Sequence, residues 1–286
     1  MTGHLIEVKK SVSFIFIKNK DGALIPNGTG FFVGVKHENN EQVMTSYFVT
    51  AKHVLQDGSG CYYPEFFIRL NRLEGDSEFF TFVTANLKII EHSDKSVDIA
   101  VLEYLPTVGI YDFKCIPHSL TADKELIKQH EICEGDDVFF AGLFTPHYGA
   151  KKNQPIIRFG KVALITDEKI LWQVNNQPSY QDLYLLECQS FGGNSGSPVF
   201  FELNPLRKSG AITLGPRQFF LAGVMTGTFL DAKETQRIKA TDNDKFIAFQ
   251  TVGIAAVTPS EKLKDILFSE ELVKKRMEYK GNETAP

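Results

Sequence analysis

The sequence predicts an all-β barrel or sandwich made of two β units joined by a linker. Short apolar runs with strand character recur along the 286 residues, and Gly-containing turn signals separate them. The rhythm breaks once, at a polar, helix-compatible stretch, and no amphipathic helix pattern intervenes between the strands.

The first unit opens with SVSFIFIK (11–18) and continues through TGFFVGV (29–35), SYFVTA (46–51), EFFIRL (65–70), EFFTFVT (78–84) and DIAVLEY (98–104). Asp21-Gly22, Asn27-Gly28 and Asp57-Gly58 supply turns between them. SLTADKELIKQH (119–130) interrupts the pattern, which sets a linker at 119–132 between a first unit at 1–118 and a second at 133–258. The second unit holds DVFFAGL (137–143), IRFGKVALI (157–165), DLYLLEC (182–188), SPVFF (197–201), FFLAGVMTG (219–227) and FIAFQTVGIAAV (246–257).

Thr258-Pro259-Ser260-Glu261 then has the form of a capping box: a hydroxyl at the cap, Pro at the first helical position and Glu three residues after the cap. Leu263, Ile266 and Leu267 follow at helical spacing, so 259–286 is expected to be a helix packed on the second unit, with a frayed tail from Gly281. The 24 phenylalanines include the adjacent pairs Phe66-Phe67, Phe139-Phe140 and Phe219-Phe220. Neighbouring strand residues face opposite sides, so such pairs imply strands covered on both faces.

A chain that is 43% hydrophobic and 23% charged is an ordinary soluble globular protein, and a net charge of −4 gives no basic field for nucleic acid. The N-terminal apolar run, Val12 to Ile17, is too short for a signal segment, and no stretch approaches a membrane span. Cys61, Cys115, Cys133 and Cys188 are widely spaced, without a C-x-x-C pair that would suggest a metal or redox motif. Four reduced thiols in a cytoplasmic protein are the expectation.

The segment SFGGNSGSPVF (190–200) surrounds Ser195 with three glycines and a proline. Such a cluster is a turn by default. It also suits a nucleophile whose bare flanking backbone lets a substrate carbonyl meet main-chain N–H groups. A serine needs a base, and the base needs an orienting acid. All seven histidines precede Ser195, which excludes an order ending in histidine, and Ser197 breaks the G-x-S-x-G elbow. The order His, Asp, Ser is supplied by His53 in SYFVTAKHVL (46–55) and Asp98 in SVDIAVLEY (96–104). His4, His37, His92, His118, His130 and His147 have no comparable context.

The blocks GTGFFVG, FVTAKHVL, DIAVLE and GGNSGSPVF resemble the successive active-site segments of chymotrypsin-like serine proteases, nearest to the bacterial branch of HtrA-type and glutamyl-endopeptidase-type enzymes. ICEGDDVFFAGL (132–143) and VGIAAVTPSEKLKDIL (252–267) resemble the opening strand and the closing strand and helix of the second barrel there. The resemblance implies two antiparallel six-stranded β-barrels with a C-terminal helix. It further implies a His53, Asp98, Ser195 triad with His53 as base and acid, and an oxyanion hole from the N–H groups of Gly193 and Ser195. One such donor is typically worth about 3 kcal/mol in the transition state. Gln189 and Ser190 would lie at the specificity pocket, and Met225, Thr226, Gly227 and Thr228 along the substrate strand, with Thr226 also supporting Asp98.

Four positions depart from these relatives. Digestive trypsins carry an Asp where Asn194 stands, so activation by a new N-terminus is not expected; and Val54 replaces their cysteine beside the histidine. No acid stands at Gln189 to attract Arg or Lys, and Met225 replaces the histidine that glutamyl endopeptidases use, so an apolar or small side chain at the cleavage site is expected. Gly28-Thr29-Gly30 lacks nucleotide-loop spacing and reads as a bent strand. Protein or peptide is the expected substrate, without metal or organic cofactor. The rival readings are a protease-like binding or sensor module with a collapsed oxyanion hole, and an enzyme latent until a partner orders its site.

Overall fold

A computed structural model describes residues 3–174, 177–190, 192–205, 217–236 and 245–278, so the expected fraying beyond Gly281 lies outside the described residues. The chain opens with a helix that strand periodicity did not announce, α1 (Gly3–Ser11). The first sheet follows: β1 (Val12–Lys18), β2 (Leu24–His37), β3 (Asn40–Thr50), β4 (Glu65–Asn71), β5 (Ser77–Val83), β6 (Ile90–Glu91), β7 (Ala100–Glu103) and β8 (Ile116–Pro117). Their order is β5-β4-β1-β2-β3-β7-β6, with β8 parallel to β2. The sheet thus has eight strands where six were expected, because the two-residue β6 and β8 are too short to show a period.

The linker region holds a 3-10 turn, His118–Leu120, and α2 (Lys124–Gln129), whose Asp123 cap accepts from the Leu126 N–H at 2.9 Å. Then come β9 (Asp137–Gly142), β10 (Ile156–Leu164), β11 (Ile170–Val174), β12 (Gln177–Gln181), β13 (Tyr184–Glu187), β14 (Pro198–Leu203), β15 (Gln218–Gln236) and β16 (Lys245–Pro259). Six of them close a barrel in the order β10-β13-β16-β15-β14-β9, while β11 and β12 form a separate hairpin.

The adjacent phenylalanines separate as strand geometry requires. Phe140 and Phe201 fill the second barrel, while Phe139 and Phe200, stacked at 5.0 Å, point outward into the core shared with the first sheet. All four are fully buried, each contributing roughly 1.5–3 kcal/mol of apolar burial. α1 covers this outer face, with His4 stacked on Phe219 at 5.3 Å.

The C-terminal segment differs from expectation in two respects. No capping box forms: α3 (Ser260–Leu267) starts after Pro259 without a side-chain cap, because the Thr258 hydroxyl is engaged by that of Thr226 at 2.7 Å. Nor does the segment serve the second unit alone. Leu263, Ile266 and Leu267 join the core that includes the first sheet, and α4 (Glu270–Glu278) sends Arg276 into the first unit. There the buried guanidinium donates to the Tyr47 hydroxyl at 3.1 Å, to Glu38 at 2.9 Å and to the Leu267 carbonyl at 2.8 Å.

Candidate active site

His53 sits on a single 3-10 turn, Lys52–Leu55, where β3 ends. Asp98 lies just before β7, which pairs with β3, so neighbouring strands deliver the two residues to one edge. The contact is two-pronged. Asp98 Oδ2 lies 2.6 Å from His53 Nδ1, and Oδ1 accepts the His53 backbone N–H at 3.0 Å. Asp98 is 3% exposed, so this attraction is little screened. Burial pulls the His53 pKa down, while the charge of Asp98 and its hydrogen bond push it up and together prevail, leaving it above the usual histidine value.

Ser195 occupies a tight turn. The Ser197 N–H donates to the Asn194 carbonyl at 3.0 Å, with Gly196 at φ +84°, the pattern of a type II turn that requires glycine at its third residue. A Cβ on Gly196 would fall 2.0 Å from the Thr29 carbonyl oxygen. The turn is laced to β15 by Gly196 N–H to Met225 O at 2.7 Å and Met225 N–H to Ser197 O at 2.9 Å. Gly193 has φ +93° and the buried Asn194 amide donates to the Leu143 carbonyl at 2.7 Å. Among the described residues, neither the Gly193 nor the Ser195 N–H has a protein acceptor.

The Ser195 hydroxyl donates to the Thr226 carbonyl at 3.2 Å and forms no hydrogen bond with His53. Thr226 is the extra residue of a β-bulge, since Met225 pairs with Val257 and Gly227 with Ala256, and bulges re-aim the groups they carry. The Thr226 hydroxyl meets Thr258 rather than Asp98, so the support it was expected to give Asp98 is not made. Thr258 has a helix cap's position in the sequence, and no local pattern announces this pairing.

The remaining anticipated residues spread around the same strand. Met225 is fully buried, Gly227 and Thr228 are half-buried, and Thr228 donates to the Ile254 carbonyl at 3.0 Å. Ser190 is buried and Gln189 exposed, and the Gln189 carbonyl accepts from Arg158 at 3.2 Å. No local pattern marks Arg158 for this contact, and none marks Trp172. This residue leans from β11 onto β15, where a Cβ on Gly227 would lie 3.0 Å from the indole, and it packs edge-on against Phe229 at 4.7 Å.

The first unit reaches the serine loop through the segment read as a bent strand. Bare Gly28 lies against Val54, since a Cβ there would be 2.5 Å from Val54 Cγ1, and this brings the next residue, Thr29, to the loop. The Thr29 N–H donates to the Ser195 carbonyl at 2.9 Å. The cysteines Cys61, Cys115, Cys133 and Cys188 are free thiols. No described helix is long and apolar enough to cross a membrane.

An all-β protein that seats a buried aspartate on a histidine and a serine on a glycine turn falls in the class of chymotrypsin-fold serine proteases. The profile of the trypsin-like peptidase domain matches residues 28–204, and the chain belongs to that family. Two solved structures are similar to it, both of the Rv3671c protease of M. tuberculosis in an inactive form. One, a serine-to-alanine mutant, is 14% identical with a TM-score of 0.46, over 93% of this chain and 90% of that one. The other is 15% identical with a TM-score of 0.47, over 93% and 91%. No curated protein matches at a significant level.

Proposed function

We propose that the protein is a serine endopeptidase working through an acyl-enzyme, with Ser195 as nucleophile, His53 as general base and then general acid, and Asp98 as its orienting anion. The grip of both Asp98 oxygens on His53 is the observation that carries this reading. It commits Nδ1 as the donor, leaving the lone pair of Nε2 for a hydroxyl proton. The Gly193 and Ser195 N–H groups serve the developing oxyanion.

The substrate lies extended along Met225 to Thr228 as an added strand. Its N–H competes for the Thr226 carbonyl that the Ser195 hydroxyl now holds, and once displaced the hydroxyl rotates toward His53. Oγ attacks the scissile carbonyl carbon while its proton passes to Nε2. The C–N bond then breaks as that proton moves to the leaving amine, and water repeats the sequence on the ester. The bond from Ser195 to Thr226 favours a resting form that a substrate, or a partner ordering the site, must release. At Gln189 and Ser190 nothing acidic favours Arg or Lys, so an apolar or small side chain at the cleavage site follows; a peptide-library profile dominated by Arg, Lys or Glu would overturn that choice.

The test is intact-mass analysis after treatment with a fluorophosphonate, with Ser195→Ala alongside. One adduct that the variant lacks supports the peptidase. A folded protein that takes up no adduct, with or without a peptide library present, supports the binding module or an enzyme held latent for a partner.

A further inference from the structure

We infer that Thr29 is a positioning residue that holds the oxyanion loop of the second unit from the first. The role given to that loop rests on the peptidase reading above; the contact does not. Thr29 is fully buried and all its polar atoms are committed, the N–H and the hydroxyl across the junction and the carbonyl within the first unit. Its N–H donates to the Ser195 carbonyl at 2.9 Å, and its own carbonyl accepts from the Thr50 hydroxyl at 2.7 Å. Its Oγ1 lies 2.7 Å from the Gly193 carbonyl and 3.0 Å from the Leu143 N. Because the Leu143 N–H can only donate, Oγ1 accepts there, and its single proton goes to the Gly193 carbonyl.

Two peptide units are thereby pinned, the one after Gly193 and the one after Ser195. The unit bearing the Ser195 N–H lies between them, so its rotation is restricted on both sides. Glycines at 192 and 193 have little local preference to hold a conformation, and a tertiary bond must supply what sterics do not. Leu143 is itself tied to the loop, since its carbonyl accepts from Asn194, and so Thr29 closes a ring of buried hydrogen bonds around the nucleophile.

Thr29→Val keeps the shape and removes the hydroxyl, leaving the Leu143 N–H and the Gly193 carbonyl unpaired. Thr29→Ser keeps the hydroxyl. The experiment combines residue-resolved amide hydrogen exchange with steady-state hydrolysis of a small activated ester. In Thr29→Val the Gly196 and Ser197 amides should exchange about tenfold faster or more, while β1 and β4 amides stay as in the wild type and Thr29→Ser restores protection. With the ester, kcat should fall about tenfold or more at a KM within about twofold, and Thr29→Ser should recover most of the loss. Unchanged exchange at Gly196 and Ser197 in Thr29→Val overturns the inference. So does faster exchange throughout both units, or an equal loss in Thr29→Val and Thr29→Ser, either of which would make Thr29 a support of the fold alone. A wild-type protein that hydrolyses no ester counts against the peptidase reading, and the exchange measurement then decides the role of Thr29 by itself.

Discussion

Asp98 holds His53 twice, through Nδ1 at 2.6 Å and through the backbone N–H at 3.0 Å, so the imidazole is fixed in both tautomer and position. The same pair sets the pH behaviour. The folded pKa of His53 lies above 6.5, and catalysis needs the neutral ring, so kcat/KM should rise with pH through a midpoint above that value. In Asp98→Asn the upward push of the charge is gone and burial still pulls down, so the midpoint should move to lower pH while kcat drops by roughly 10⁴-fold. A pH–rate profile of both proteins checks the sign; a midpoint that stays put would remove Asp98 from the role proposed.

Gly196 and Gly22 separate the effect of backbone conformation from that of space. Both have positive φ, +84° and +79°, yet a Cβ at 196 meets the Thr29 oxygen at 2.0 Å and one at 22 meets nothing within 4 Å. Gly22→Ala should cost only the left-handed strain, about 1–2 kcal/mol, and label normally with a fluorophosphonate. Gly196→Ala should lose labelling by about 100-fold or more, since the nucleophile's turn cannot form as it stands. Equal labelling in the two variants would show that the turn is not needed.

Trp172 is the single tryptophan of the chain, and its ring rests on Gly227, one residue beyond the carbonyl that Ser195 touches. Its emission should therefore respond when a strand is added along β15. A peptide aldehyde extending four residues upstream of the scissile position should shift the spectrum, and a small phosphonate bound only at Ser195 should not. Identical responses to both would mean that substrate does not run beside this ring.

Arg276 should matter to stability rather than to chemistry. It is 2% exposed and satisfies Glu38, Tyr47 and the Leu267 carbonyl together. Arg276→Met strands those acceptors and should cost about 2–3 kcal/mol, lowering Tm by roughly 4–10 °C with kcat little changed well below the melt. Thermal melts with parallel kinetics check this, and an unaltered Tm would mean that α4 is not anchored by this residue.

What the sequence makes legible follows from how locally each feature is encoded. Alternation located the long strands of both units, and the flanks of His53, Asp98 and Ser195 identified the family, because these patterns repeat within a few residues. The β11–β12 hairpin was missed because Pro178 argues against a strand, and α1 because it buries only two side chains, while the helix expected over 259–286 divides into α3 and α4. The Thr258 hydroxyl stands where a helix cap would, yet its partner lies across the barrel, and Thr29 lies between two glycines in a stretch whose local pattern says only bent strand. Pairings of that kind join residues whose distance in sequence carries no local pattern.

The span between Thr29 and Gly193 is 164 residues, and Arg276 reaches Tyr47 across 229. At a synthesis rate of about 5–20 residues per second, the first half of the protein waits roughly 10–30 s for the loop that Thr29 will hold. His53 and Asp98 leave the ribosome long before any serine can face them, and α4 emerges later still. The two halves of the proposed centre are thus joined only after both units have been made, so a nascent first unit carries the proposed base and acid without their nucleophile.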